Sequence, residues 1–418
     1  MARNLKFTPV VQPNFGLFYD RPEINVPARG ILDGLNFRLS QGAISASNLG
    51  WTRFLPDLQL NGPVMLIASF IPHDQQEFLM LLTPSDLYAF DSTNDATTFL
   101  TPTYTTGTAS ASGTTVTGTG TAWLTNALVG DEIAFGSATI NDPAATWYTV
   151  TATPSDTGLT IDASAGTVAD GPYTLRRKFQ GNRRDFWDWT VFIQDADTGD
   201  DLFMCTNGVD PVVSWNGYDQ TATLHPELGF RCTCLTAWSN MLVYGNLYQV
   251  STDVSYPTSI INSDVGRPLK AGAVGLGLSE QFRVQDNPEP IVLLLPLADN
   301  LVIYAKRTLT VAQFVGDPLV FSFRNAANGY GPVGRSAIAD FGDHHEFIHL
   351  DGQYSFDGAG LREINSHVWR GIIANSDPDR NSFTWSHFDE QQAELIWLVP
   401  TPLDPGTSAD RQAGFAWS

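Results

Sequence analysis

The stretch HEFIH, His345 to His349, holds the residues most suggestive of chemistry. Two histidines four apart, the first followed by a glutamate, spell a metalloprotease zinc site, with the imidazoles as ligands and the carboxylate as base. That chemistry needs a helix, where residues i and i+4 share one face about 6 Å apart. Here turn residues bracket the segment, and only Asp343 to Asp351 lie between Gly342 and Gly352. On a strand the two imidazoles share a face but stand about 13 Å apart, too far for one ion. No third ligand is adjacent in sequence. The spacing therefore predicts a strand at a surface or interface, and no metal site.

Other chemical spellings are weaker. SWNGYDQT (Ser214 to Thr221) lacks the third-position aspartate of a sialidase Asp-box. GYGPVGRS (Gly329 to Ser336) is glycine-rich but has no lysine for a phosphate and no clear following helix. GLGLSEQF is not a nucleophile elbow. The pairs Asp200/Asp201 and Asp389/Glu390 read as solvated turn charges, although a glycosidase can gather its two acids from distant loops. The sequence accordingly assigns no catalytic, cofactor-binding or metal-ligating residue, and the chain is not expected to be an enzyme.

The elements that would position any site are strands. The chain has 418 residues, 43% hydrophobic and 11% aromatic, enough for a substantial core; charged residues make up 16%, too few for long solvated helices. Its 36 glycines and 25 prolines punctuate it at short intervals, the texture of many short strands joined by turns. The expected class is all-β. Three phrases recur: SDLYAFD (Ser85 to Asp91), NGVDPVVSWNG (Asn207 to Gly217) and DGQYSFDG (Asp351 to Gly358). Each reads as a strand between two tight turns, because Asn-Gly and Asp-Gly tolerate the positive φ that such turns require.

Between the first two phrases, Thr103 to Arg176 differ in texture, being rich in Thr, Gly and Ser. With those 74 residues set aside, Leu87 and Val209 stand 48 apart, and Val209 and Gln353 stand 144 apart, three times 48. That period fits one four-stranded propeller blade, and the remaining 344 residues accommodate about five to seven. Further blade strands are expected at Ser239 to Val250 and Asp299 to Gly316, with a last blade beginning at Ala393 to Pro400. The expected organisation is residues 1–102 and 177–418 as propeller, with 103–176 as an inserted small sandwich or barrel of about five strands. Trp123 and Trp147 are expected in its core.

The net charge is −21, from 23 basic and 44 acidic residues. A nucleic-acid binder needs a basic face; the one dense basic stretch, RRKFQGNRR (Arg176 to Arg184), reads as a solvated strand edge or an interface. An acidic surface instead lets DNA pass without sticking. Cys205, Cys232 and Cys234 are too few for a disulfide framework and read as buried thiols, with alternate residues such as Cys232 and Cys234 expected on one side of a strand. The N-terminus has no apolar signal core, and the longest apolar run, from Ile291, is too short to span a membrane.

The opening Asp20 to Phe54, with its Pro-containing stretch, Asn-Φ-Arg strand and Gly-Trp close, resembles the start of tail propeller proteins of tailed bacteriophages. Asn300 to Gly358 is similar along its whole length; Thr206 to Gly217 and Glu394 to Pro400 add shorter matches, and the Thr/Gly-rich insert resembles small β-domains of phage tail and fibre proteins. The resemblance implies a structural virion protein: the nozzle, a ring, usually sixfold, below the portal and adaptor of a short-tailed phage, surrounding the channel by which the genome leaves. It further implies assembly in the bacterial cytoplasm, no cofactor, and contacts with adaptor or portal-side proteins and tail fibres. The alternatives are a propeller adhesin recognising glycan or protein, and a glycan-cleaving propeller enzyme.

Overall fold

The computed structural model describes residues 37–40, 43–46, 60–73, 76–136, 145–271, 281–284, 289–316, 320–364, 376–389, 394–400 and 412–417. Most of the opening stretch Asp20 to Phe54 therefore lies outside the described residues. The protein is all-β, built from antiparallel sheets of the propeller-blade type. No helix among the described residues is long and apolar enough to cross a membrane.

Four of these sheets are four-stranded meanders in chain order. The first holds Leu66–Phe70, Phe78–Leu82, Leu87–Asp91 and Ala96–Phe99. The second holds Asp188–Phe192, Leu202–Thr206, Val213–Trp215 and Thr223–Leu224. The third follows the same order in Phe230–Trp238, Met241–Gln249, Val254–Asp264 and Arg267–Ala271, with Gln281–Arg283 added beside Val254–Asp264. The fourth holds Ile291–Leu297, Asn300–Ala305, Thr308–Phe314 and Phe321–Asn328, and the fifth Ile338–Asp340, His345–Ile348, Gln353–Phe356 and Leu361–Glu363. The sixth has three strands, Trp385–Asp389, Glu394–Pro400 and Gln412–Trp417. It thus begins before Ala393, where the sequence placed the start of the last blade.

The three recurring phrases supply the third strand of the first, second and fifth sheets. One hydrogen-bond pattern closes all three. Asp91 Oδ1 accepts from the amides of Thr93 and Asn94 (2.9 and 3.1 Å), Asn216 Oδ1 from Tyr218 and Asp219 (3.1 and 3.0 Å), and Asp357 Oδ1 from Ala359 and Gly360 (2.9 and 2.8 Å). A short side-chain acceptor thereby caps the two amides that follow, the Asx turn for which Asp and Asn are chosen. Fourth strands carry polar or exposed residues, as in ATTF of the first sheet and LRE of the fifth. A polar outer strand discourages pairing with a stranger.

The chain forms two compact units: residues 59–303 with 312–324, and residues 1–58, 304–311 and 325–418. In the first unit consecutive sheets share cores. Phe70, Met80 and Leu82 of the first sheet pack on Phe203, Cys205 and Trp215 of the second. The opposite face of the second, through Leu202 and Met204, meets Phe230, Cys232 and Leu242 of the third, and the third packs Trp238 and Val243 on Leu294 and Leu301. Central strands such as LFMCT are buried on both faces for that reason. In the other unit, Ala339 and Ile348 pack on Leu395 and Trp397.

All three cysteines are buried thiols outside any disulfide. Cys232 and Cys234, however, do not share a core: the first joins the cluster facing the second sheet, the second the cluster facing Leu294. The strand beside them, Met241–Gln249, takes φ 56° at Asn246 and shifts register between Gly245 and Leu247 in its pairing with Val254–Asp264. That irregularity breaks strict alternation in that strand.

The eight strands from Thr103–Tyr104 to Tyr173–Arg176 form one sheet of their own, with eight rather than about five members. Its core holds Val116, Ile133, Val150 and fully buried Trp123, whose indole N–H donates to Tyr173 Oη at 3.0 Å. Trp147 departs from expectation. It is half-buried, with the Arg176 guanidinium carbon 3.9 Å above its ring, a cation–π cover and not core.

Candidate functional site

Among the described residues no group of three or more His, Cys, Asp or Glu is placed to hold a metal ion; His345–Ile348 of HEFIH form a strand, as the spacing predicts. Its position is the correction. The strand is interior, not at a surface: His345 and Phe347 are fully buried and Ile348 nearly so. The His345 ring bonds through Nδ1 to the Tyr304 hydroxyl at 2.8 Å, while His349 donates from Nδ1 to the Gly331 carbonyl at 2.6 Å. GYGPVGRS serves packing as well. A Cβ on Gly331 would stand 2.1 Å from the Ala305 carbonyl oxygen, and one on Gly334 2.5 Å from that of Ser382. These glycines permit close backbone approach.

A second constellation escaped sequence reading. Ser214 Oγ donates to His225 Nε2 at 2.7 Å, and His225 Nδ1 donates to Glu227 Oε1 at 2.6 Å. That is the connectivity of a nucleophile, base and orienting carboxylate. Burial lowers the His225 pKa against the pull of Glu227, so the imidazole is neutral and able to accept a proton. The surroundings decide against attack on a substrate. Ser214 sits opposite Met204, which lies in the core between the second and third sheets, and the outward group is Glu227, at 60% side-chain exposure. The relay is inverted relative to a working triad: its nucleophile is inside and its carboxylate outside. It satisfies polar atoms at the rim of a core. Only the His-Pro-Glu spelling hints at it in sequence, because Ser214 and His225 meet through strand pairing.

The third constellation lies at the root of the insert and accounts for three of the five basic residues of the basic stretch. Glu132 Oε2 accepts from Arg176 Nε and Nη2 at 2.9 and 2.6 Å, and its Oε1 pairs with Lys178. Burial alone would raise the Glu132 carboxyl, but the bonds from Lys178 and Arg176 outweigh it and the pKa falls below the ordinary value. Asp131 next door behaves oppositely. It is almost fully buried, and desolvation pushes its pKa up to about 6, in spite of Arg177 Nη1 at 3.1 Å from Oδ2. The physical reason is geometry. Arg177 Nε and Nη1 make no hydrogen bond, so their pairing with Asp131 is coulombic only. Beyond them Gln180 N donates to Asp210 Oδ2 at 2.8 Å, tying the strand leaving the insert to the Asn207–Asp210 turn. Arg176, Arg177 and Lys178 are thus partly buried and paired, which corrects the reading of a solvated edge; Arg183 and Arg184 are exposed.

Beside this root lies a cavity of about 250 Å³. Tyr104, Thr125 and Asn126 line it from the insert, Thr223 and Leu224 from the outer strand of the second sheet, and Arg177 is the charged group in its wall.

No family model matches the chain, and no curated protein matches it. Among solved structures, a likeness is found to the phage phi92 endosialidase, with 12% identity over 79% of this chain and a TM-score of 0.23. The likeness spans 52% of that protein's chain, about half its length. At that score it carries no argument about fold or function.

Proposed function

We propose that this chain is a structural component of a bacteriophage tail, a ring-forming nozzle or tail-tube protein around the channel through which DNA leaves. The observation that carries the reading is repetition. Meander sheets follow one another along the chain, consecutive sheets within each unit share cores, and one Asx turn recurs after the third strand. That is the construction of a propeller, the fold which the resemblance of Asn300 to Gly358 implies. The fold alone does not fix the role; the charge supports it. At −21, a channel wall repels the phosphates that pass along it. In this reading five to seven blades close each propeller, six subunits form the ring, and the insert faces fibres or the cell surface. The ring meets the adaptor or portal side of the tail and carries no catalytic activity.

The test is immunogold electron microscopy of virus particles with antibody against residues 103–176, together with native mass spectrometry of the purified chain. Label in a ring at the tail and a hexameric mass are the expected results. Particles without label, with the protein found free as a monomer, would overturn the proposal in favour of a free-standing binding module.

A further inference from the structure

We propose that the Arg183–Arg184 turn docks a second copy of this chain, on the carboxylate-bearing turns at the opposite end of its first two sheets. The inference rests on the ring-forming reading and names the surfaces by which copies join. Arg183 and Arg184 are both exposed and form no ion pair with a described residue. The backbone holds them in one shape. Asn182 Oδ1 accepts from the Arg184 amide at 2.8 Å, Asp185 Oδ2 from the Asn182 amide at 2.9 Å, and the Asn182 carbonyl from the Asp185 amide at 3.0 Å. Both flanks are anchored as well. The Phe179 amide donates to the Ser85 carbonyl at 3.2 Å, the Gln180 amide to Asp210, and the Trp187 indole to the Thr83 carbonyl at 2.8 Å. A turn fixed in this way loses little freedom on binding.

Those anchors place the arginines at one end of the sheets. Ser85 and Asp210 belong to the turns that join second to third strands in the first and second sheets. The other two turns of each sheet lie at the opposite end, where the Tyr218 hydroxyl of the second sheet donates to the His73 carbonyl of the first at 2.9 Å. Their sequences, IPHDQQE, DSTND, IQDADTGDD and NGYDQ, contain no lysine or arginine. Glu77, Asp95 and Asp219 are exposed there, whereas Asp197 is already engaged by Arg267 and Lys270 of the third sheet. Cation at one end and carboxylate at the other suit a head-to-tail contact, which closes into a ring when the rotation between copies allows. In a twofold dimer centred on this turn the arginines would meet themselves and repel. Copies that each carry −21 also repel overall, so a joint between them needs a place where opposite charges meet. A guanidinium and a carboxylate match in charge and in geometry.

The test follows self-association of the full chain by sedimentation velocity and native mass spectrometry, in salt of about 0.15 M. Arg183→Glu/Arg184→Glu reverses one side; Glu77→Arg/Asp219→Arg reverses the other, at the loss of one exposed bond from Ser69 Oγ to Glu77. Far-UV circular dichroism checks that both variants fold. Each alone should associate at least about tenfold more weakly than the wild type, because like charges then face each other. Mixed in equal amounts, the two place opposite charges at every joint, and assembly should return with the variants alternating. The second variant separates local pairing from overall charge: it makes the chain less acidic, so general repulsion alone would have it assemble more readily. A wild type that assembles while either variant assembles equally well overturns the inference and leaves the ring reading standing, as does a mixture that fails to recover. Loss of DNA binding in Arg183→Glu/Arg184→Glu with assembly unchanged would assign the turn to nucleic acid and overturn it too. A wild type that stays monomeric overturns both readings.

Discussion

Replacing Asp131 by asparagine tests whether desolvation or ion pairing governs the root of the insert. Asp131 has a folded pKa of about 6 against an ordinary 3.8, raised by burial. A carboxyl whose folded pKa is raised contributes stability below its unfolded pKa and loses it as pH climbs through the folded value. Moving from 3.8 to about 6 gives roughly 3 kcal/mol lost between about pH 4 and pH 7. Asparagine does not titrate, so the difference in stability between wild type and Asp131→Asn should move by about 3 kcal/mol over that window, the wild type faring relatively worse at pH 7. Other carboxyls titrate in both proteins and cancel. The assay is hydrogen exchange by mass spectrometry on peptides from residues 103–176, which reports opening of the insert itself. A flat difference would refute the desolvation argument. A change of opposite sign would show that Arg177 outweighs burial and holds the carboxyl below 3.8.

Three further outcomes follow from packing. Trp123→Ala removes a fully buried indole and its bond to Tyr173, and should cost the insert about 3–5 kcal/mol, seen as lost exchange protection across the eight-stranded sheet. Gly245→Ala puts a methyl 2.8 Å from Cys234 Sγ and 3.1 Å from Leu294, and should lower the denaturation midpoint by an amount equivalent to about 1–3 kcal/mol. Ser214→Ala leaves His225 Nε2 buried without a partner and should cost about 1–3 kcal/mol. Labelling of Ser214 by a fluorophosphonate, absent in Ser214→Ala, would contradict the structural role given to that relay.

Local chemistry was legible wherever the deciding partners sit within a few residues. The turns after Asp91, Asn216 and Asp357 are spelled out because the acceptor side chain caps amides two and three positions on. The strand at HEFIH was legible because turn residues leave too little length for a helix. Its depth was not, since burial of His345 depends on Tyr304, 41 residues away.

The same division holds across the protein. The sequence by itself determined an all-β chain, a repeating strand-and-turn phrase and a stretch of foreign texture, because period and turn chemistry are properties of neighbouring residues. Only the tertiary structure decided which charges are buried. Arg176 to Lys178 read as a solvated run until Asp131 and Glu132, more than forty residues earlier, are brought beside them. It also decided that Cys232 and Cys234 enter different cores. It placed Ser214 against His225 with the serine facing inward, and it enclosed a cavity between the insert and the second sheet. These are contacts between segments far apart in the chain, fixed by how sheets stack, and no local spelling encodes them.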